Sequence, residues 1–223
     1  MDGDFIPDIV LQDNTNQRLP CVLVLDASTS MAGEAIDQLN IGLETLDQQL
    51  KNDDIACQRV QLAVITAGGR GEATLVVDWT DAIDFAPPKI VANGTTPLGT
   101  AVARALEKIE EQKENYKNHQ VQYNRPWLFV ITDGEPNDPD WRRCAESARS
   151  SEKSNKVSIF CIGTEGANFE TLSEFSVRPP LKLNGLNFKE LFVWLSRSAS
   201  TTSRASSGEM AQLEPVSWGS VPT

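Results

Sequence analysis

One histidine, His119, is present among 223 residues. It lies in the polar run Tyr116-Lys117-Asn118-His119-Gln120, where a solvated linker side chain is expected. Ser/His/Asp and Cys/His machinery has no other imidazole to use, so conventional hydrolase chemistry is nearly closed off. The four cysteines, Cys21, Cys57, Cys144 and Cys161, form no CxxC pair, which excludes a zinc ribbon. Cys21 and Cys161 fall in apolar runs and read as buried, reduced thiols. No apolar run approaches the ~20 residues that a membrane helix needs. Basic residues are outnumbered 20 to 31, for a formal charge of −11. Phosphate backbones and anionic lipid surfaces repel such a body, so neither nucleic acid nor membrane is an expected partner. No basic-then-apolar leader follows Met1-Asp2-Gly3-Asp4, which with the unpaired thiols predicts a cytoplasmic protein.

What is present is ordinary globular composition, 40% apolar and 23% charged. At about 150 residues per domain, the length fits one large domain or one plus an appendage. Pro20-Cys-Val-Leu-Val-Leu-Asp26 is a short continuous apolar run, suited to a strand covered on both faces. Ile36, Leu39, Leu43, Leu46 and Leu50 follow at helical spacing and predict one buried stripe. Gln61–Thr66 and Ala73–Trp79 are two more strand-like runs. The six residues between them, Ala67-Gly68-Gly69-Arg70-Gly71-Glu72, are too few for a helical crossover and predict an antiparallel hairpin. A second amphipathic helix starts near Leu98, with Val102, Ala105, Leu106 and Ile109 inward and a polar end at Glu110–Glu114. Trp127–Thr132 is another buried strand, ending at Asp133-Gly134. A helix from about Pro139 to Ser150, a strand over Val157–Ile162, and helices over Phe169–Phe175 and Phe188–Leu195 complete the chain.

This order of elements predicts an α/β fold with a central, mostly parallel sheet, one antiparallel edge strand and helices on both faces. Right-handed crossovers place the first strand beside the Trp127 strand. Ligands in such sheets collect at the carboxyl ends of the strands flanking the switch point. Asp26-Ala27-Ser28-Thr29-Ser30 follows the first strand, Thr132-Asp133-Gly134-Glu135-Pro136 follows the other, and Asn93-Gly94-Thr95-Thr96-Pro97-Leu98-Gly99 opens the second helix. Together they offer carboxylates and hydroxyls to one small volume. These are hard oxygen donors, which suit Mg²⁺, Mn²⁺ or Ca²⁺ and not zinc or copper.

Asp26-x-Ser28-x-Ser30, then Thr96, then Asp133 resembles the metal-ion-dependent adhesion site (MIDAS) of the von Willebrand factor type A (VWA) domain. The element order from about Leu19 to Leu195 resembles its three-layer, Rossmann-like fold as well. The resemblance implies that the Ser28 and Ser30 hydroxyls ligate a divalent cation, Mg²⁺ first, and that Thr96 binds directly or through water. It implies that Asp26 and Asp133 act mainly through water and the serine hydroxyls. Thr96 stands three places before Gly99, as in the family pattern T-x-(T/L)-G, with Leu98 where many relatives carry a second threonine. A protein partner offering a carboxylate or phosphate would complete the ion, without catalysis. Asp133-Gly134-Glu135-Pro136, the upstream Trp127 and the run Gly94–Gly99 further resemble bacterial TerY-type proteins. That resemblance implies a tellurite-resistance or stress complex with a serine/threonine kinase and a metal-dependent protein phosphatase.

Residues 1–18 read as an N-terminal segment, 19–198 as the domain and 199–223 as a Ser/Thr-rich flexible tail. Six serines and two threonines fill Ser196–Ser207, a composition that predicts a solvated linker and a target for phosphorylation. Trp218 beyond it is expected to dock on the domain or on a partner. Two other functions are weighed. A haloacid-dehalogenase-like phosphatase would use Asp26 as nucleophile, but it needs a second aspartate as general acid where this chain has Ser28. Nucleotide binding fails because Gly68-Gly69-Arg70-Gly71 precedes a strand and no GK[ST] follows. A structural domain with a vacant site is the remaining alternative.

Overall fold

The computed structural model describes Asn14, residues 16–205, Leu213 and residues 215–222. Seven strands form one sheet: β1 (Leu19–Ala27), β2 (Val60–Gly68), β3 (Glu72–Asp81), β4 (Trp127–Thr132), β5 (Ser158–Gly163), β6 (Leu181–Leu183) and β7 (Gly219–Ser220). Their order is β3-β2-β1-β4-β5-β6-β7. All neighbours are parallel except β2/β3 and β6/β7 at the two edges. The hairpin follows from its short connection, since six residues cannot carry a crossover. β1 and β4 are adjacent, with Cys21 opposite Trp127 and Leu25 opposite Ile131.

Helices α1 (Glu34–Lys51), α2 (Ala56–Arg59), α3 (Leu98–Asn118), α4 (Trp141–Lys153), α5 (Phe169–Ser173) and α6 (Phe188–Arg204) join the strands. Because successive strand side chains point to opposite faces, the central strands build two cores at once. Leu23 and Leu25 of β1, with Phe129 and Ile131 of β4, pack with Leu39, Leu43 and Leu46 of α1 and Phe188 and Leu191 of α6. Val22, Val24, Leu128 and Val130 face the other way, onto Leu98, Val102 and Ala105 of α3 and Ala145 and Ala148 of α4. Double coverage is why these strands read as unbroken apolar runs. All four cysteines are free; Cys21, Cys57 and Cys161 are buried and Cys144 is partly exposed.

The serine-rich segment differs from its expectation. Residues 196–204 are helical and not a linker: α6 continues through Arg204, with Ser198, Ala199 and Ser203 fully buried. Composition argued for solvation, but small side chains at helical spacing suit a close helix contact. Two of the hydroxyls bond locally, Ser196 Oγ donating to the Val193 carbonyl at 2.8 Å and Ser203 Oγ to that of Ser200 at 2.9 Å, the back-bonding open to Ser and Thr in helices, whereas Ser198 Oγ and Thr202 Oγ1 are buried without a partner. Ser206 and Ser207 lie outside the described residues. Further on, Trp218 docks on the domain at 1% exposure. Its ring meets Trp194 edge-on at 5.5 Å, and its carbonyl accepts the Asn184 N–H at 2.9 Å. β7 follows and pairs with β6, a second antiparallel edge beyond the one expected. His119 caps the end of α3 as a half-buried residue, its Nδ1 2.9 Å from the Asn115 carbonyl. No helix among the described residues is long and apolar enough to cross a membrane.

Candidate metal centre

Parallel pairing brings the carboxyl ends of β1 and β4 side by side, so Asp26 and Asp133 begin neighbouring loops. Asp26 is fully buried and both its oxygens are engaged. Oδ1 accepts the Ser28 N–H at 2.8 Å and Oδ2 accepts the Thr132 hydroxyl at 2.5 Å. Burial pushes its carboxyl above the usual range, opposed by hydrogen bonds from Ser28 and Thr132, with the Asp133 charge adding a further upward push. Asp26 therefore acts as a buried anchor for the β1 loop.

Above that anchor the serine hydroxyls face the opening. Ser30 Oγ donates to Asp133 Oδ1 at 2.8 Å and lies 2.9 Å from Ser28 Oγ. Adjacent ligands of an octahedral ion with ~2.1 Å bonds stand about 3.0 Å apart. The observed Ser28–Ser30 separation fits that edge length.

Thr96 enters from the third loop. It is buried, and a β-carbon placed on Gly134 would lie 3.8 Å from its Oγ1. Backbone bonds lock the loop from both sides. The Gly94 carbonyl accepts from the Thr29 N–H and hydroxyl, each at 3.1 Å, and Asn93 N–H donates to Ala27 at 2.7 Å. Thr95 N–H donates to Gly69 at 3.1 Å, while the Thr96 carbonyl accepts from Asn137 at 3.1 Å. Gly94 has a φ of +71°, and a β-carbon there would overlap the Gly69 carbonyl. The hairpin tip thus rests directly on the loop that presents Thr96. Thr95 is exposed and Thr96 buried beside Gly134.

All five expected residues, Asp26, Ser28, Ser30, Thr96 and Asp133, meet at this one end of the sheet. Thr132 joins them through its bond to Asp26, a role the apolar strand pattern did not mark out. Among the described residues no group of three or more His, Cys, Asp or Glu is placed to hold a metal. Any ion held here depends on hydroxyl oxygens, which favours hard divalent cations.

The chain belongs to the von Willebrand factor type A domain family, whose model matches residues 21–190. The fold is shared with solved structures at low identity. A von Willebrand factor type A protein from Catenulispora acidiphila has a TM-score of 0.63 at 16% identity, over 83% of this chain and 43% of that one. The ArnB paralog VWA2 from Sulfolobus acidocaldarius gives 0.57 at 18%, over 82% and 46%. Proximal thread matrix protein 1 from the mussel byssus, solved with a zinc-occupied MIDAS motif, gives 0.55 at 14%, over 84% and 49%. The chain thus spans less than half of each. No curated protein matches it. The family is one with metal-dependent adhesion or interaction roles.

Proposed function

We propose that this chain is a non-enzymatic, divalent-cation-dependent protein-binding domain. The observation that carries the reading is the row of oxygens from Ser28 through Ser30 to Asp133, set beside the buried Asp26, with Thr96 presented by the facing loop. Ser28, Ser30 and Thr96 would hold the ion through hydroxyls, while Asp26 and Asp133 orient those hydroxyls and carry the compensating charge. The ion, Mg²⁺ first with Mn²⁺ or Ca²⁺ as substitutes, supplies a positive coordination position for an anionic oxygen. Neutral direct ligands leave most of that charge to a partner's carboxylate or phosphate. The exposed Ser30 and half-exposed Asp133 keep the position reachable from solvent.

We place the domain in a cytoplasmic, kinase- and phosphatase-regulated bacterial stress complex of the tellurite-resistance type. That placement rests on Asp133-Gly134-Glu135-Pro136, Trp127 and the Gly94–Gly99 run. The experiment is thermal unfolding in Mg²⁺ or Mn²⁺ against chelator, followed by affinity capture in both conditions with mass spectrometry. Wild type is expected to gain stability with the cation and Asp26→Ala to lose that gain. An identical wild-type melting temperature with and without cation removes the proposal.

A further inference from the structure

Helix α3 begins without a cap of its own. Pro97 holds its N-cap position and makes no side-chain cap bond, although the first turn of a helix leaves N–H groups in need of acceptors. The acceptor comes from another loop, 39 residues downstream of Gly99. Asp138 Oδ1 takes the Gly99 N–H at 3.2 Å, and its Oδ2 takes the Thr100 N–H at 2.8 Å and the Thr100 hydroxyl at 3.0 Å. Next to it, the Asn137 N–H reaches the Thr96 carbonyl at 3.1 Å. Glycine at 99 makes this approach feasible. A β-carbon there would lie 2.7 Å from Asp138 Oδ2 and 2.5 Å from Trp141 Cα.

We infer that Asp138 is the positioning residue of the metal centre, resting on the reading of that centre given above. Thr96 lies two residues before α3, and Asp133 sits on the same loop as Asp138. Fastening this loop to the start of α3 sets the span between Thr96 and Asp133 before any ion arrives. The Asp138 carboxylate also offsets the positive end of the α3 dipole, which otherwise points unneutralised beside a cation site. Asp138 itself acts only through Thr96 and Asp133. Groups hydrogen-bonded directly to metal ligands are worth about 10- to 100-fold in metal affinity, and that scale bounds what Asp138 contributes from one step further out.

The test compares full-length wild type, Asp138→Ala, and Asp138→Ala combined with Pro97→Ser. The serine gives α3 a local cap without fastening the two loops. Mn²⁺ affinity is measured calorimetrically, and melting temperature and amide exchange are measured in chelator. The expectation for Asp138→Ala is Mn²⁺ binding weakened tenfold or more, with faster exchange at both 96–100 and 133–137. The added Pro97→Ser restores the melting temperature and the protection of 98–100, but neither the affinity nor the protection of 133–137. Unchanged affinity in Asp138→Ala overturns the inference, as does recovery of affinity by Pro97→Ser, which would make Asp138 a helix cap and nothing more. If wild type binds no Mn²⁺, the metal reading and the positioning role fall together. Coupled loosening of both loops would then show that the fastening alone survives.

Discussion

Trp218 tests how the C-terminal segment is held. Its indole is 1% exposed against Trp194. Burying such a ring removes up to about 250 Å² from water, worth about 6 kcal/mol gross at ~25 cal/mol per Å². Fixing Trp218, Gly219 and Ser220 in extended form costs about 1–2 kcal/mol per residue. The Nε1 donor, buried without a partner, subtracts about 1 kcal/mol more. Docking therefore nets at most about 2 kcal/mol. Because the segment can always detach, Trp218→Ala cannot cost more than that net, well below the ~3–5 kcal/mol of an aromatic deletion inside a core. Equilibrium urea unfolding of Trp218→Ala and of a chain ending at Ala205 should give the same loss, about 4–8 °C in melting temperature. A loss above 4 kcal/mol for the substitution, exceeding that of the truncation, refutes the reasoning. So does no loss in either.

Ser30→Ala removes an exposed ligand hydroxyl, so the melting temperature in chelator should hold within about 2 °C. The stabilisation by Mg²⁺ should disappear, and its persistence argues against Ser30 as a ligand. Gly94→Ala forces a side chain onto a residue at φ +71° and against the Gly69 carbonyl. A loss above about 2 kcal/mol in urea unfolding is expected, with a loss under half that counting against the clamp. Burial pushes the Asp53 carboxyl up, but hydrogen bonds from Ser200, Ala56 N–H, Arg204 and Ile55 N–H outweigh it and hold the group below the ordinary carboxylate range. A carboxyl lowered on folding stabilises above its unfolded value near 3.9, and that stability is lost as pH falls through the folded value. The gap in melting temperature between wild type and Asp53→Asn should thus be full at pH 6 and narrow below about pH 4. A gap independent of pH removes this assignment.

Much of the fold was legible because burial on both faces leaves no polar alternation, so Val22–Leu25 and Leu128–Ile131 announce themselves as central strands. The site was legible for a related reason. Asp26, Ser28, Ser30 and Asp133 are short polar residues that follow buried runs, and adjacent parallel strands bring their ends together, while Thr96 stands just ahead of the amphipathic helix that begins at Leu98. What stayed hidden depends on contacts distant in sequence. β6 is three residues long, and its continuation into β7 requires the docking of Trp218. The buried face of Ser198, Ala199 and Thr202 looked like a solvated tract because amphipathic analysis weights hydropathy and ignores size. A cap supplied by Asp138 to a helix starting at Pro97 leaves only one local trace, a helix start lacking its own acceptor.

The thiols carry a practical consequence. Burial pushes Cys161 up to about 12 and Cys21 higher still, and raises Cys57 as well, which is 4% exposed. Cys144, on the first turns of α4 behind the Asp133–Asp138 loop, is the accessible one of the four. Maleimide chemistry on the unaltered chain should therefore attach a single fluorophore there, at mildly alkaline pH because burial and the nearby Asp138 keep its thiolate scarce. The sequence thus comes with its own reporter position, on the helix that follows the Asp133–Asp138 segment, without an engineered cysteine.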